Sequence, residues 1–490
     1  MLVTPPSVFL MDERVFVSLG ILKVAASLEG RGVAVEHVDL SGVENFLDLL
    51  RDRVRATAAA HVGITCTTPQ LPNVVRMIEA IREVRPRMRV ILGGPHVTLV
   101  LSAVKLERAR GVEGRAFRAW ERLERLADVL VSGDGDLAVF AALAPDAPKT
   151  IDADDPRNGY FLTHELYDRS PFPARHLVDL ESYHYRIDGH PSTSLIGQLG
   201  CPFGCGFCGG RNSKSLRTIR LRTPRSVVAE VEFLHRTYGY TGFMFYDDEL
   251  NVNKDMIPLM DALTELQHRL GVEFRLRGFV KAQLFTEEQA RAMHRAGFRW
   301  ILVGFESGFP RILENINKRS TVEDNDRAIA HARAAGIKVK ALMSVGHPGE
   351  SEETVRMTQA WLMSRAPDDF DCTIITTYPG TPYYDEAVPH PRLPNVWTYV
   401  QPRSGDRLHS HDVDYSLVSD YYKGDPQGGY RSYVFTDQLS AEELVDLRSW
   451  VESSVRRGLN IAYPSSKPGL RYEHSMGQGT FQSLERGEGP

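Results

Sequence analysis

The chain has 490 residues, 42% of them hydrophobic and 25% charged, and a net charge of −5 at pH 7. That balance is ordinary for a water-soluble protein of roughly three domains; it offers no basic excess to a nucleic acid and no block of like charge for an interaction tail. No run approaches the ~18 consecutive apolar residues of a membrane span, and the opening MLVTPPSVFLMDERVF lacks the basic start of a secretory signal, so a cytoplasmic location is expected.

Through residues 1–145, strands alternate with helices. MLVTPP is a short apolar run that stops at two prolines, and the helix-like VSLGILKVAASLEGRG ends at its glycines. VAVEHVDL, AAHVGIT, RVILGGPH and ADVLVSGDGD read as four further strands, with the helices VVRMIEAIREVRP and DLAVFAALA among them. This alternation predicts a doubly wound, Rossmann-like parallel sheet, whose ligands bind at the carboxyl ends of the strands. Residues 146–190 are irregular and read as a linker. From 191 to 385 about six strand–helix steps follow, which predicts a partial (β/α)6 barrel with its site at the strands' C-terminal ends. Residues 386–490 form a small C-terminal domain, expected to be mixed and mainly α-helical. Its one clear helix is SAEELVDLRSWVESSVRRG, and its last ~25 residues have the polar composition of a disordered tail.

The chain has five cysteines, too few and too scattered for a disulfide framework. Cys201, Cys205 and Cys208 nevertheless fall within the single stretch GQLGCPFGCGFCGGRN. Thiolates spaced in this way on a glycine-rich loop can wrap one face of an iron–sulfur cubane, with Phe203 and Phe207 keeping water away. Structural zinc and electron-transfer clusters usually take four ligands, and no fourth cysteine lies nearby. Three thiolates leave one iron open to chelate the amino and carboxylate groups of S-adenosylmethionine. Cys66 and Cys372 lie on predicted strands and read as core thiols.

CPFGCGFC resembles the CxxxCxxC signature of the radical S-adenosylmethionine superfamily. FYDDELNVN, GFESGFPRILENINK, VGHPGESEET and YPGTPYYDEA resemble its later strand-end motifs, in the branch with an N-terminal cobalamin domain. The resemblance covers roughly residues 1–385. It implies that Cys201, Cys205 and Cys208 hold a [4Fe–4S] cluster, and that Glu306 contacts S-adenosylmethionine. It also places Tyr246, Asp247 and Asp248 on the same rim. Lys281 stands where many relatives have arginine, facing the methionyl carboxylate, although lysine is a point charge and not a fork. His347 replaces the usual apolar residue before PGE, as a packing residue or a substrate contact.

The strand-end sets CTTPQLPN, GGPHVT and VSGDGD resemble cobalamin-binding domains of that branch and put Thr67, Thr68, Gly93, Gly94, His96, Ser132, Gly133 and Gly135 near the corrin. The loop after the first strand has no histidine, so a bound cobalamin is expected with its tail detached and no histidine on cobalt. His96 is expected beside the corrin. The resemblance implies a cobalamin-dependent radical C-methyltransferase that uses methylcobalamin and a 5′-deoxyadenosyl radical. Its substrate would be a small molecule, free or carrier-bound, in natural-product (antibiotic) biosynthesis. An external one-electron donor such as flavodoxin would be needed, and no nucleic acid or membrane is expected as a partner. Ring formation or rearrangement without methyl transfer is the other activity found in such enzymes. Tyr415, Tyr421, Tyr422, His409 and His411 are candidate cap residues over the substrate.

Overall fold

The computed structural model describes residues 1–10, 12–421 and 430–462. Six strands, β1 (Leu2–Thr4), β2 (His37–Asp39), β3 (His61–Thr65), β4 (Arg89–Gly93), β5 (Val129–Ser132) and β6 (Thr150–Asp152), form one parallel sheet in the order β2-β1-β3-β4-β5-β6. The chain leaves β1 to one side and returns on the other, so the switch point lies between β1 and β3. Helices Leu19–Glu29 and Gly135–Ala142 pack together on one side of the sheet. Helices Phe46–Ala56 and Leu71–Val84 pair with each other, as do Pro95–Ala109 and Arg115–Leu126, over the other core. Strand β5 is buried throughout, as a parallel strand covered on both faces should be. Strand β6 falls inside the stretch expected to be linker and extends the sheet beyond the expected boundary at 145.

The second sheet runs β15-β14-β13-β12-β11-β8-β7. Its strands are β7 (Arg186–Ile187), β8 (His190–Leu195), β11 (Gly242–Phe245), β12 (Arg275–Phe279), β13 (Phe298–Glu306), β14 (Lys338–Val345) and β15 (Asp369–Ile374). Only β7 is antiparallel, leaving six parallel strands in sequence order, the expected partial barrel. A short ribbon of β9 (Gln198–Leu199) and β10 (Arg220–Leu221) brackets the cysteine loop.

An open barrel leaves an edge strand with unpaired backbone groups. Here the C-terminal helix Ala441–Leu459 covers β15 with side chains in place of a strand. Glu452 accepts the Cys372 N–H at 2.7 Å, Arg448 donates to the Cys372 carbonyl at 2.8 Å, and Arg456 donates to the Phe370 carbonyl at 2.7 Å. Those three residues are spaced by four, on one helix face. The C-terminal region is mixed, as expected, but less helical. It also holds an antiparallel sheet of β16 (Val388–Pro389), β17 (Val396–Val400), β18 (Arg407–His411) and β19 (Val434–Thr436). Leu408, Val434, Leu444, Val451 and Val455 join the barrel's own core. The polar tail beyond residue 462 lies outside the described residues.

Candidate active site

Strand β9 is followed by Gly200, whose φ of +85° and whose pro-R hydrogen, 2.1 Å from the Thr218 carbonyl if it were a Cβ, admit only glycine. The cysteine loop begins there. Its carbonyls are gathered by one side chain: the Arg211 guanidinium donates to the Cys201 carbonyl at 3.2 Å, to the Gly209 carbonyl at 3.3 Å and to the Phe203 carbonyl. Arg217 takes the Pro202 carbonyl at 2.9 Å, and Asn317 the Gly204 carbonyl at 3.0 Å. Gly206 donates to the Ile316 carbonyl and accepts from the Tyr383 amide. A Cβ there would lie 2.1 Å from the Tyr383 ring. Phe203, Phe207, Phe309, Ile312 and Ile316 pack around Cys205 and Cys208, supplying the expected apolar shield. Burial raises the Cys201 thiol and pushes Cys208 up to about 12, so thiolates there need more positive charge than Arg211 brings. Among the described residues no three His, Cys, Asp or Glu side chains converge on one point as ligands of a single ion. A cubane offers each thiolate its own iron.

Above the loop, the C-terminal ends of the barrel strands carry the expected rim. Glu306 ends β13 at a register shift, with φ +65°, a left-handed conformation rare for a residue with a Cβ. Its Oε1 accepts from Lys318 Nζ at 2.8 Å and its Oε2 from Ser344 Oγ at 2.7 Å. Burial opposes ionisation of Glu306, but the Lys318 ammonium and these hydrogen bonds outweigh it and hold the carboxyl below its usual range. Gly304 makes room for the pair: a Cβ there would fall 2.6 Å from Glu306 Oε1 and 2.8 Å from Lys318 Nζ. Ser344 Oγ also lies 2.8 Å from His347 Nε2, and burial pushes His347 down to about 3, so its ring is neutral.

Lys281 is buried with its ammonium 4.1 Å over the Phe203 ring, beside the cysteine loop. Burial lowers its pKa, and Lys318 lowers it further. The acidic run after β11 splits by exposure. Tyr246 and Asp248 face outward, whereas Asp247 turns inward and accepts the Gly197 N–H at 2.7 Å. Asp247 therefore braces the turn before the cysteine loop. Burial pushes its carboxyl up to about 7. Sequence reasoning passed over Glu249, which burial also pushes up to about 7, and over Lys318, Ser344 and Arg211. Of these, only Arg211 sits close enough to the cysteines in sequence to have been noticed.

In the first sheet, Gly93, Gly94, Gly133 and Gly135 line a largely apolar cavity of about 510 Å³. It extends past Ile64, Ile91 and Val131 to Met1 and His61 at the opposite end of the sheet, and reaches Leu199 and Leu216 of the barrel. Gly94 has φ +96°, and its Cβ would fall 2.7 Å from the Cys66 amide. A Cβ on Gly133 (φ +84°) would fall 2.5 Å from the Asp154 amide. Ser132 Oγ and Asp136 Oδ1 are buried and unpartnered. Thr67 and Gln70 cap each other's turn. Thr68 Oγ1 holds His96 Nδ1 at 3.0 Å, and His96 lines a different cavity, beside helix Arg115–Leu126. Burial pushes His96 down to about 4.

A family model for the B12 binding domain matches residues 13–138, and one for the radical SAM superfamily matches residues 195–362. The chain belongs to the radical SAM superfamily and carries a B12 binding domain. It is 27% identical over 333 residues to an uncharacterized methyltransferase of Pyrococcus horikoshii, covering 67% of this chain and 69% of that protein. It is 26% identical over 442 residues to an anaerobic magnesium-protoporphyrin IX monomethyl ester cyclase of Rubrivivax gelatinosus, covering 88% and 72%. Its fold matches the radical S-adenosylmethionine methyltransferase TsrM of Kitasatospora setae, solved with tryptophan and an S-adenosylmethionine analogue. That match has a TM-score of 0.67 at 17% identity, over 97% of this chain and 93% of that one.

The cofactors of this family member are a [4Fe–4S] cluster, S-adenosylmethionine and cobalamin. The residues fit them. The three thiols share one shielded loop, and the long apolar cavity suits the planar base of a detached cobalamin tail. The unpartnered Asp136 carboxylate oxygen, on the cavity wall, suits the amide groups of a corrin. The described residues between β1 and the first helix include no histidine. Among the expected cap residues, Tyr415 and Tyr421 are buried against the core of the cobalamin domain, and Tyr415 donates to the Thr377 carbonyl at 2.6 Å. His409 is tied to Thr398 and Asp437 within the C-terminal sheet, His411 is exposed, and Tyr422 lies outside the described residues. Among the described residues no helix is long and apolar enough to cross a membrane.

Proposed function

We propose that the protein is a C-methyltransferase that places a methyl group on an unactivated carbon of a small molecule, in natural-product biosynthesis of the antibiotic-tailoring kind. When bound, the cluster supplies one-electron cleavage of S-adenosylmethionine and the corrin supplies a transferable methyl group. The chain's own residues position these groups and exclude water. Cys201, Cys205 and Cys208 hold three irons. Glu306, fixed as a carboxylate by Lys318, accepts from the hydroxyls or ammonium of S-adenosylmethionine, and the Lys281 ammonium faces its carboxylate. Asp248, outward-facing on the same rim, offers a further acceptor. Gly94, Gly133 and Gly135 let the backbone approach the corrin. A flavodoxin-type donor delivers the electron.

One observation carries the reading. Leu99, on the helix that starts at the cobalamin crevice, packs against Gly209 directly after Cys208, where a Cβ would lie 3.1 Å from its methyl carbon. The two cofactor sites therefore share a wall, as a radical source and a methyl donor for one carbon require. Relatives named as methyltransferases support the same reading. A relative named as a magnesium-protoporphyrin IX monomethyl ester cyclase makes ring formation the outcome that the test has to exclude. The test is anaerobic turnover with methyl-deuterated S-adenosylmethionine and a panel of small-molecule acceptors that begins with tryptophan. Deuterated product alongside 5′-deoxyadenosine supports methyl transfer. An unlabelled, dehydrogenated or cyclised product refutes it.

A further inference from the structure

We infer that His347 is a positioning residue that holds Glu306 in register with the cysteine loop through a hydrogen-bond relay of fixed polarity. This rests on the reading of Glu306 as an S-adenosylmethionine contact and goes beyond it.

The polarity follows from counting protons. Lys318 Nζ can only donate, and it donates to Glu306 Oε1 at 2.8 Å. Glu306, ionised by that pairing, can only accept, so the Ser344 hydroxyl donates its one proton to Oε2, at 2.7 Å. Ser344 Oγ then has only lone pairs left for His347 Nε2 at 2.8 Å. His347 must be the donor there, which makes it the tautomer protonated on Nε2. Its Nδ1, fully buried and without a hydrogen-bond partner, is a bare acceptor.

The ring's other neighbours give the relay its purpose. His347 meets Phe207, which lies between Cys205 and Cys208, edge to face with centroids 5.4 Å apart. It also meets Tyr383, which packs on Gly206, with centroids 6.2 Å apart. One imidazole thus touches the cysteine loop with its faces and edges and the Glu306 relay with its Nε2. Glu306 sits in a left-handed backbone conformation that persists only where its surroundings over-determine it. Lys318 fixes one oxygen, and the Ser344–His347 pair fixes the other. His347 is 0% exposed, so it reaches no ligand itself. Its role is exerted through Glu306.

Two measurements test this. In the cofactor-free chain labelled with ¹⁵N-histidine, the His347 signal, assigned by its loss in His347→Leu, should show a protonated Nε2 and an unprotonated Nδ1 at neutral pH. A proton on Nδ1 overturns the relay. In the reconstituted protein, S-adenosylmethionine affinity is read by equilibrium dialysis and by the change it causes in the reduced-cluster electron-paramagnetic-resonance signal. His347→Leu, which keeps the packing, should weaken binding about tenfold. His347→Gln, which restores a donor near the Nε2 position, should recover to within about threefold. Ser344→Ala should weaken binding like His347→Leu, and it decides the matter where the leucine variant does not fold. Unchanged affinity in His347→Leu or Ser344→Ala, with Glu306→Gln impaired, overturns the positioning role alone. Unchanged affinity in Glu306→Gln overturns the underlying reading of Glu306.

Discussion

Asp154 ties the cobalamin domain to the segment that follows the cysteine loop, and its removal is the sharpest structural test of how the two halves are joined. It lies just beyond β6 and is buried. Its carboxylate accepts from Ser213 Oγ and Ser215 Oγ, each at 2.6 Å, from the Ser215 amide at 2.8 Å and from the Lys214 amide at 3.2 Å. In Asp154→Ala the two hydroxyls, 3.2 Å apart, can turn to each other, but the two amides are left without acceptors. The buried Ser215 N–H left unsatisfied costs roughly 1–3 kcal/mol, and the half-buried Lys214 N–H together with the lost hydroxyl bonds brings the destabilisation of the turn to about 3 kcal/mol. At about 1.4 kcal/mol per factor of ten, local opening should become ~10²-fold more frequent. Hydrogen–deuterium exchange of a peptide covering 209–219 reads this directly, and iron retention after reconstitution should fall with it. Exchange within about threefold of wild type at these amides would refute the claim that this carboxylate anchors the segment.

Cys205→Ala should lose cluster iron and 5′-deoxyadenosine formation together; wild-type iron content with continued product would overturn the ligand assignment. The Asp247 carboxyl is pushed up to about 7 by burial, above its ordinary ~3.9, so the folded chain holds that proton more tightly than the unfolded one. Its contribution to stability is full below about pH 4 and is lost as the pH rises through about 7. Asp247→Asn should flatten that decline in the cofactor-free chain, as followed by denaturation midpoints at pH 5 and 8; an equal decline in both proteins would count against it. Glu452→Leu removes the carboxylate nearest to Arg456 and Arg448 and leaves the Cys372 N–H without its acceptor, while Arg456 keeps Asp369 and Asp371, and it should destabilise the barrel edge by about 1–3 kcal/mol. Thermal midpoint and protease release of the helix Ala441–Leu459 measure it, and a change below about 1 kcal/mol would show that the ladder is not holding β15.

The alternation of strands and helices was legible because barrel strands such as β11 and β13 are apolar runs separated by helices that bury one face. Helix Pro95–Ala109 was not, because residues 96–104 are all buried and leave no helical period to read. Strand β6 is three residues long and is recognised only by its pairing with β5. The C-terminal strands carry residues such as Arg407, His409 and Ser410, which read as loop until the barrel buries one face of them. The cysteine ligands were legible because their spacing is local. The Glu306 relay was not, since its members lie 12 and 38 residues away in sequence. Asp247 and Asp248 looked alike as neighbours, but only Asp247 is turned inward onto the Gly197 N–H of the turn before the cysteine loop.

A short stretch of backbone at 383–385 helps to fix the cobalamin domain against the cysteine loop, alongside the Asp154 anchor. Tyr383 packs on Gly206 inside the cysteine loop. Tyr384, the next residue, accepts from the buried Arg115 of the cobalamin domain at 2.8 Å and stacks on its guanidinium, 3.6 Å from ring centre to carbon. Asp385 completes the turn. Its carboxylate accepts from Asn212, four residues past Cys208, at 2.8 Å, and its carbonyl accepts from Arg110 of the cobalamin domain at 2.7 Å. Three consecutive residues thus grip both halves at once. Groups that react across a gap have to be held to a few tenths of an ångström, and a misplacement of 1 Å can slow them about a hundredfold. A rigid turn whose neighbouring side chains reach opposite ways helps to make that spacing a matter of covalent geometry, and this explains why the end of the last barrel strand, far from the first sheet in sequence, carries the aromatic pair.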